Sequence, residues 1–402
     1  MVQYRDFNRV KSIKTAFYFL VVLLLSQCKM SSNKPGTGDL VEIDISQKCP
    51  EREMYIQDLG KVEYIPLETN RNTLLTSGTG VIHVSDNYII AATISRGDVF
   101  VFDGKGKSKF SFNNRGQGPT DYNQIYSIAF DEKEKEIFIF DRFSANPKFL
   151  VYNEDGTLKR TLECPANFTP RICNFDDATL LAYDDYGIST NKYSSKPYLL
   201  ISKKNGSIVD TLGIHLSERI SNRVFLEVEV NGQKAMTSLN LSVSNNRSYG
   251  KNILIADWAS DTIYRLTPQK ELLPLIVRKP SIHSTNPKMV ISNELITDKF
   301  ILLTKAVLDF EMAKSKNTFP TIALMYDFKT GQLNEYKLLN KDFERSVVEF
   351  DAAITPENTG VCRLDVAYLF EADEAGRIRG ELKGLLKTLK EEDNPVLMKI
   401  KF

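Results

Sequence analysis

The chain has 402 residues, with 52 basic and 51 acidic side chains and a net charge of +1 at pH 7. Because the basic residues are spread evenly and form no stripe, the sequence lacks the electrostatic signature of a nucleic-acid-binding protein. The length suffices for a large core, built as one repeat-containing domain or as two ordinary domains.

The N-terminal segment has the three-part order of a secretory signal. Basic residues between Arg5 and Lys14 precede an unbroken apolar run over residues 16–25. Ten residues at a rise of ~1.5 Å make about 15 Å of helix, roughly half of a ~30 Å hydrocarbon core. The run is therefore too short for a comfortable permanent span, and we predict a signal peptide over residues 1–27.

A cysteine follows this apolar run closely. Residues 25–28 read LSQC, which is typical of a bacterial lipoprotein signal, where the cysteine thiol takes a diacylglycerol and cleavage makes that cysteine the first residue. Gln27 departs from the small residue usual at its position, so plain secretion and an uncleaved anchor stay open. Several acyl chains at ~0.8 kcal/mol per buried CH₂ give stable anchoring. We predict lipid attachment at Cys28 and a flexible polar tether over residues 28–40.

From residue 41 onward the sequence consists mostly of short β-like runs separated by Gly, Asn and Asp turns. In one example, residues 99–103 (VFVFD) lead through a Gly-containing turn at 104–106 to a return run at 108–112. This pattern predicts a strand, a turn that tolerates positive φ, and an antiparallel strand. The unit recurs at roughly 40–65 residues, which is the spacing of propeller blades. A sandwich or a two-domain β protein stays open because the period is irregular.

The C-terminal region contains a helical pattern followed by a strand. Residues 371–392 place apolar side chains at helical spacing, and Pro395 ends the pattern. Residues 396–402 then predict a terminal strand. We expect this strand to pair with an N-terminal strand, for which residues 41–45 are the candidate, and so to close a ring.

Four cysteines remain beyond Cys28, namely Cys49, Cys164, Cys173 and Cys362. In an oxidising compartment some of them are able to pair, and Cys164 with Cys173 is the candidate disulfide because they lie nine positions apart. Free buried thiols are the alternative, and the sequence does not choose between them.

The most distinctive string is RGQGPTDY, over residues 115–122. Its glycines allow unusual φ values and its proline favours a turn. In the functional interpretation Arg115 and Asp121 project into a central binding mouth, with Gln117 and Tyr122 beside them. In the structural interpretation the string is a turn between blades, in which Arg and Asp pair with each other.

Trp258 is the single tryptophan and lies between Asp257 and Asp261. It is either a platform for stacking a sugar or a part of the core. The three histidines lie far apart, and the cysteines form no CxxC pattern, so there is no zinc signature. The sequence also contains no GxSxG nucleophile elbow. We therefore expect no metal, no cofactor and no assigned catalytic residue.

Several of these strings together resemble a known family. They are YIPLET at residues 64–69, VFDGKGK at 101–107, RGQGPTDY at 115–122 and EDNPVLM at 392–398. The sequence resembles the six-bladed β-propeller lipoproteins of Bacteroidetes, which are similar in style to NHL-repeat propellers. The resemblance implies an all-β, six-bladed propeller over residues 41–402, exported and of unassigned activity.

We interpret the protein as a lipid-anchored binding or scaffold module. Its expected partners are the membrane, through the anchor, and an unidentified small molecule, glycan or protein. The alternative is a glycan-acting hydrolase or lyase with its site at the propeller axis. Lipoproteins exported to the cell surface often carry acids after the cysteine. Here Lys29 follows, which favours the outer membrane of a Gram-negative envelope, facing the periplasm.

Overall fold

The computed structural model describes residues 40–185, 195–220, 223–230, 232–240, 246–249, 251–316 and 319–402. In these residues the chain forms a six-bladed β-propeller with short helices near the C-terminus, as predicted. The predicted signal peptide, Cys28 and all of the tether except Leu40 lie outside the described residues. In the described part of the chain, each helix is too short or too polar to cross a membrane.

Blades 1–3 are four-stranded antiparallel sheets whose strands follow chain order from the axis outward. Blade 1 contains β4 (Gly80–Val84), β5 (Tyr88–Thr93), β6 (Asp98–Asp103) and β7 (Ser108–Phe112). Blade 2 contains β8 (Ser127–Asp131), β9 (Glu136–Asp141), β10 (Lys148–Asn153) and β11 (Leu158–Glu163). Blade 3 contains β12 (Pro170–Asn174), β13 (Thr179–Asp184), β14 (Tyr198–Ser202) and β15 (Ile208–Thr211). A separate hairpin follows, made of β16 (Arg223–Val230) and β17 (Gln233–Asn240).

Blades 4–6 combine strands from both ends of the chain. Blade 4 contains β18 (Asn246–Tyr249), β19 (Asn252–Ile255), β20 (Thr262–Leu266) and β21 (Leu272–Lys279), and a 3₁₀ turn follows at Ile282–Ser284. Blade 5 contains β22 (Met289–Ile296), β23 (Phe300–Val307), β24 (Thr321–Asp327), β25 (Leu333–Asn340) and β26 (Phe343–Val347), with helix α2 (Phe310–Lys316) between β23 and β24. Blade 6 contains β27 (Thr359–Leu364) and β28 (Val396–Lys401), with helices α3 (Val366–Glu374) and α4 (Gly380–Leu386) between them.

The N-terminal segment passes along blades 4, 5 and 6 in turn. It contains β1 (Val41–Asp44), β2 (Glu51–Tyr55), helix α1 (Ile56–Leu59) and β3 (Lys61–Pro66). β1 pairs in parallel with β21, β2 pairs in parallel with β25, and β3 pairs antiparallel with β28.

Ring closure by terminal strands is confirmed, but the predicted partner was wrong. The strand that pairs with β28 is β3, with Lys61 opposite Lys401 and Pro66 opposite Val396. β1, the predicted partner, instead lies at the outer edge of blade 4. Its alternating pattern buries Val41 and Ile43 in one cluster with Ile276. The two N-terminal runs have similar patterns, so only tertiary packing distinguishes them.

The innermost part of blade 6 is an extended segment that precedes β27. The Asp351 N–H donates to the carbonyl of Val361 (2.8 Å), and the Thr355 hydroxyl donates to that of Thr359 (2.7 Å). On its other side, Ile354 exchanges backbone hydrogen bonds with β4 of blade 1. The ring is thus continuous around the axis between blades 6 and 1.

The core lies between neighbouring blades. In β5 of blade 1, Ile90 packs in a cluster with Ile139 of blade 2, and Ile89 packs in another with Leu397 of blade 6. Alternate residues of a strand point to opposite faces of its sheet. A strand such as β5, whose blade has a neighbouring blade packed on each face, therefore carries apolar residues on both faces. This explains the continuous apolar runs of the sequence.

The outer hairpin turns of blades 1, 2 and 3 each contain a glycine at the same position. Gly106, Gly156 and Gly206 occupy equivalent turns of blades 1, 2 and 3, with φ values of +83°, +83° and +80°. A Cβ at these positions would lie 2.2 Å from the Pro66 carbonyl oxygen, 2.5 Å from the Phe112 ring and 2.0 Å from the Glu163 carbonyl oxygen, respectively. Each contact belongs to the outermost strand of the preceding blade. These glycines therefore serve both the turn and the joint between blades.

The two ends of the ring differ in their connections. We call the end that carries the connections from one blade to the next the upper face. It also carries the loop between the second and third strands of each blade. The opposite end, the lower face, carries short turns such as 85–87 and 132–135. The α3–α4 pair lies on the upper face because it connects the second and third strands of blade 6.

Polar contacts join adjacent blades on the lower face. The Lys203 ammonium of blade 3 donates to Asp131 of blade 2 (2.5 Å), and both side chains are almost fully buried. His83 Nε2 lies 2.9 Å from Glu132 Oε2, and the Asn87 amide donates to Glu132 Oε1 (2.9 Å). These bonds cross from blade 3 to blade 2 and from blade 1 to blade 2.

The single helix predicted over residues 371–392 is two helices in the structure. α3 begins earlier, where the Asp365 carboxylate caps it by accepting from the Tyr368 N–H. Gly376 follows it with a φ of +70°, which ends the helix in the left-handed conformation. α4 then packs Leu382 and Leu386 in one cluster with α3.

Candidate ligand-binding site

The upper face carries an open depression between blades 1 and 2, with a volume of about 790 Å³. The residues that line it are Arg115, Gly116, Gln117, Asn123, Gln124, Phe143 and Ala145, and we call this set the loop depression. All of them belong to the connection between β7 and β8 or to the loop between β9 and β10. Since no residue of an innermost strand is among them, the depression lies beside the axis.

The loop that forms one wall is held by Tyr122, whose side chain is completely buried. Its hydroxyl donates to the Gly97 carbonyl (2.6 Å) and accepts from the Asn114 N–H (3.0 Å). Burial raises the pKa of Tyr122 to about 12, so the hydroxyl keeps its proton at neutral pH. The hydroxyl of Tyr152, in blade 2, donates to the Thr120 carbonyl (2.7 Å) and holds the same loop from the other side.

Asp121 is directed into the loop rather than toward the axis. Its carboxylate accepts from the Gly118 N–H (2.8 Å) and from the Thr120 hydroxyl (3.2 Å). A Cβ at Gly116 would lie 2.2 Å from this carboxylate, and one at Gly118 would lie 2.8 Å from it. Neither glycine has a positive φ. The sequence therefore needs glycine here for space, not for the unusual φ that we expected.

Arg115 and Gln117 are exposed and line the depression, which lies beside the axis and is not the central mouth of the functional interpretation. Arg115 Nε donates to the Asn123 carbonyl (3.0 Å), and its Nη1 donates to the Ser95 carbonyl (3.2 Å). The guanidinium thus keeps donors for a ligand while it fixes the loop. In this geometry Asp121 and Arg115 each bind backbone groups, so the pairing of Arg with Asp assumed in the structural interpretation was wrong.

A second group of side chains lies where the innermost strands of blades 2 and 3 begin. We call Tyr126, Arg142, Arg171 and Asp185 the arginine–tyrosine cluster. The Tyr126 hydroxyl donates to Asp185 (2.9 Å), and Arg171 Nε also binds this carboxylate. The guanidinium carbons of Arg142 and Arg171 lie 5.4 Å and 5.6 Å from the centre of the Tyr126 ring. These distances are in the range of cation–π contacts.

The electrostatics of this cluster follow from burial and from Asp185. Burial, and secondarily the nearby Asp185 charge, raises the pKa of Tyr126 to about 12. Burial opposes the charge of Arg171, but Asp185 more than offsets it, so the pKa of Arg171 lies above its usual value. Tyr126 therefore stays neutral and Arg171 stays charged at neutral pH.

Arg142 connects the two groups. Its guanidinium carbon lies 5.9 Å from the centre of the Phe143 ring, and Phe143 lines the loop depression with 54% of its surface exposed. The sequence contained one signal for this pair, because both residues directly follow the strand-like run 137–141. Arg171 and Asp185 gave no such signal, since they meet only through the pairing of β12 with β13.

Trp258 does not join either group. It is 4% exposed and packs with Ile282, Val290 and Phe319. The core alternative thus fits the structure, and no ring face is available for a sugar. The adjacent Asp257 is also buried and accepts from the Tyr198 hydroxyl (2.8 Å) and the Ala259 N–H (2.9 Å). Burial raises the pKa of this carboxyl.

The candidate disulfide is not formed, because Cys164 and Cys173 are free thiols. Cys164 packs in the cluster between blades 2 and 3, whereas Cys173 packs in the cluster between blades 3 and 4. The two side chains therefore lie on opposite faces of blade 3. Among the described residues, no three His, Cys, Asp or Glu side chains gather as ligands for one metal ion.

A family model described as a domain of unknown function (DUF4934) matches residues 40–401. The chain belongs to this family. The match spans the whole DUF4934 propeller, including the N-terminal strands that pass along blades 4–6. No curated protein matches this member in sequence.

Solved structures resemble this DUF4934 member in fold. A Bacteroides fragilis protein described as exported is 16% identical over 90% of this chain and 99% of its own, with a TM-score of 0.62. A DUF4221 family member from Bacteroides vulgatus is 8% identical over 85% and 96%, with a TM-score of 0.46. A virginiamycin B lyase from Staphylococcus aureus is 12% identical over 68% and 97%, with a TM-score of 0.31. The first likeness supports the propeller fold, and the other two are too weak to carry an argument.

Proposed function

We propose that this protein is an exported, lipid-anchored β-propeller that binds a ligand on its upper face, as a binding or scaffold module. The observation that carries the proposal is the loop depression. Arg115, Gln117 and Phe143 are exposed there, while the loop beneath them is fixed by hydrogen bonds from Tyr122 and Tyr152. Pre-formed sites on rigid scaffolds bind with a smaller loss of conformational entropy.

The lining of the depression favours binding over glycan cleavage. Glycosidases use two carboxyl groups that flank the scissile bond. The described residues that line the depression include no Asp or Glu. The nearest carboxylate of this loop, that of Asp121, is engaged by the Gly118 N–H. We therefore propose no catalytic residue here.

The lipid anchor rests on the signal-like order of residues 1–28. Labelling of cells with a lipid precursor tests this part of the proposal, with Cys28→Ala as the control. We expect label in the unchanged protein and none in the variant. An exported protein that carries no label would contradict the anchor and leave the propeller's ligand site untouched.

The ligand site is tested by a thermal-shift screen of the purified protein against glycans and metabolites. A bound ligand raises the melting temperature by mass action. We expect a shift that Phe143→Ala abolishes. Phe310→Ala is the matched control, because Phe310 is 48% exposed on the same face but in blade 5. A shift that survives Phe143→Ala would place the site elsewhere, and a flat screen would overturn a glycan or metabolite ligand and favour a protein partner.

Arg115→Ala separates structural from functional roles in the same assay. If Arg115 contacts the ligand, the variant keeps most of its melting temperature and loses the ligand shift. A variant that unfolds easily and still shows the full ligand shift would restrict Arg115 to fixing the loop.

A further inference from the structure

We propose that the ligand is an acidic oligosaccharide, and that Arg142 binds its carboxylate. This inference rests on the proposed function, because it names the ligand class of the same site. It depends on three observations, which concern the exposed charges, the state of Arg142 and the chemistry of the lining.

Next to the loop depression and the arginine–tyrosine cluster, guanidinium groups are exposed while the carboxylates are held by donors of the protein. Arg115, Arg142 and Arg171 are exposed. Asp141 is 1% exposed and accepts from the backbone N–H groups of Asn123 (2.9 Å) and Phe143 (3.1 Å). The negative charge of Asp141 is thus held by donors of the protein, while these three positive charges face solvent.

The carboxylates of Asp121 and Asp185 are also held by donors of the protein. Asp121 accepts from the Gly118 N–H, and Asp185 binds Tyr126 and Arg171 with its side chain only 13% exposed. An approaching ligand therefore meets the guanidinium groups first. Exposed positive charge of this kind attracts an anion and raises its association rate.

The N–H donors of the Arg142 guanidinium are available to a ligand. Within the described residues it has no ion pair or hydrogen bond, and its neighbours there are the rings of Tyr126 and Phe143. Aromatic neighbours restrict its rotation without using its donors. A guanidinium presents two parallel N–H groups that match a carboxylate in a bidentate arrangement. Arg142 is therefore placed to receive a carboxylate at the edge of the loop depression.

The lining of the depression, which lies next to Arg142 through Phe143, suits a sugar better than a peptide. Gln117, Asn123 and Gln124 carry amides, which both donate and accept, as sugar hydroxyl groups do. The exposed Phe143 ring offers a face for the apolar side of a pyranose. Peptides commonly add a strand to a free sheet edge, whereas the lining residues here are all in loops. A volume of about 790 Å³ accommodates a short oligosaccharide.

The experiment is isothermal titration of the purified protein with trigalacturonate and with its methyl ester, which removes the charge and keeps the sugar. We expect trigalacturonate to bind at least tenfold more tightly than the ester. Arg142→Ala should weaken trigalacturonate about tenfold or more and leave the ester within about twofold. Arg52→Ala is the matched control, because Arg52 is exposed on β2, at the edge of blade 5, and should change neither affinity by more than about twofold.

Each of the other outcomes of the titration contradicts a specific part of the proposal. Equal binding of acid and ester would overturn the anionic ligand and keep the proposed ligand site, provided that Phe143→Ala abolishes both. Tighter binding of triglutamate than of trigalacturonate, with loss in Arg142→Ala, would replace the sugar by an acidic peptide. Binding that neither Arg142→Ala nor Phe143→Ala weakens would overturn the proposed site together with this inference.

Discussion

The turns on the lower face and at the outer edges differ from the connections on the upper face in both length and uniformity. Lower-face turns such as 85–87 and 132–135 are short, and the outer turns of blades 1, 2 and 3 share one glycine position. The upper-face connections range from residues 94–97, between β5 and β6, to residues 365–395, between β27 and β28. The lower-face and outer turns are therefore uniform, whereas the upper-face connections differ in length from blade to blade.

The difference separates residues that hold the ring from residues that are free to carry a site. The uniform turns pack against the neighbouring blade, so their sequences are constrained by contact. The upper loop between β7 and β8 is anchored through Tyr122 and Tyr152 and leaves Arg115 and Gln117 to solvent. Substitutions in the first set should lower stability, whereas those in the second should change ligand binding.

Lys203→Met should have the largest effect on stability, because it leaves the Asp131 carboxylate buried without its partner. We expect the free energy of unfolding, measured by urea denaturation, to fall by about 3–5 kcal/mol. Lys204→Met, at the exposed neighbouring position, should change it by less than about 0.5 kcal/mol. Equal losses in the two variants would show that the Lys203–Asp131 pair does not join blades 2 and 3.

Gly206→Ala tests the contact between blades directly. Gly206 and Gly376 have similar φ values, +80° and +70°, but only the first approaches another blade. At Gly376, on the upper face, no described atom lies within 4 Å of the position that a Cβ would occupy. We expect Gly206→Ala to cost about 3 kcal/mol, from strain plus the clash with Glu163, and Gly376→Ala about 1 kcal/mol from strain alone. Similar losses of stability in the two variants would contradict a role of the outer turns in joining neighbouring blades.

Glu132 should give the smallest effect, visible as a pH dependence. Its hydrogen bond with His83, opposed by burial and aided by Asn87, lowers its pKa from 4.5 to about 2. A lowered pKa in the folded state means that its stabilising contribution is complete above about pH 4.5 and is lost as the pH falls toward 2. Glu132→Gln should flatten the decline of stability in that window. At neutral pH it should cost about 1 kcal/mol or less, since the carboxylate is partly exposed.

Glu134→Gln is the control for this measurement, because Glu134 lies in the same lower-face turn and is exposed. Its stability profile between pH 2 and 4.5 should match that of the unchanged protein. A Glu132→Gln profile that also matches would show that the His83–Glu132 contact does not stabilise the folded state.

Much of the fold was predictable because it depends on local patterns. The strand–turn–strand units and their spacing predicted a propeller, and the outer glycines marked the turns. Residues 41–45 and 61–66 were not distinguishable, because both alternate and only contacts with blades 4 and 6 decide their partners. The helix over 371–392 was predicted as one element because its apolar spacing is regular, while Gly376 and Gly380 interrupt it.

The candidate site was predictable in part. The string at 115–122 marked the right loop, but of its four candidate site residues only Arg115 and Gln117 line the depression. Asp121 and Tyr122 carry functional groups whose bonds lie inside the loop, which a sequence does not reveal. From the sequence, Trp258 beside Asp257 was either a platform for a sugar or part of the core. In the structure, Asp257 accepts from Tyr198 and Ala259 within the core. Arg171 and Asp185 are brought together with Tyr126 only by packing between blades 2 and 3.

The parallel pairing of β1 with β21 also sets the orientation of the whole ring. Residue 41 lies opposite residue 276 and residue 44 opposite 279, so the chain enters from the side of the outer turn at 267–271 and runs toward the upper face. Leu40, the first described residue, therefore lies on the side away from the loop depression. If the proposed anchor at Cys28 is correct, the proposed ligand-binding face lies at the opposite end of the ring from the point where the described chain enters it.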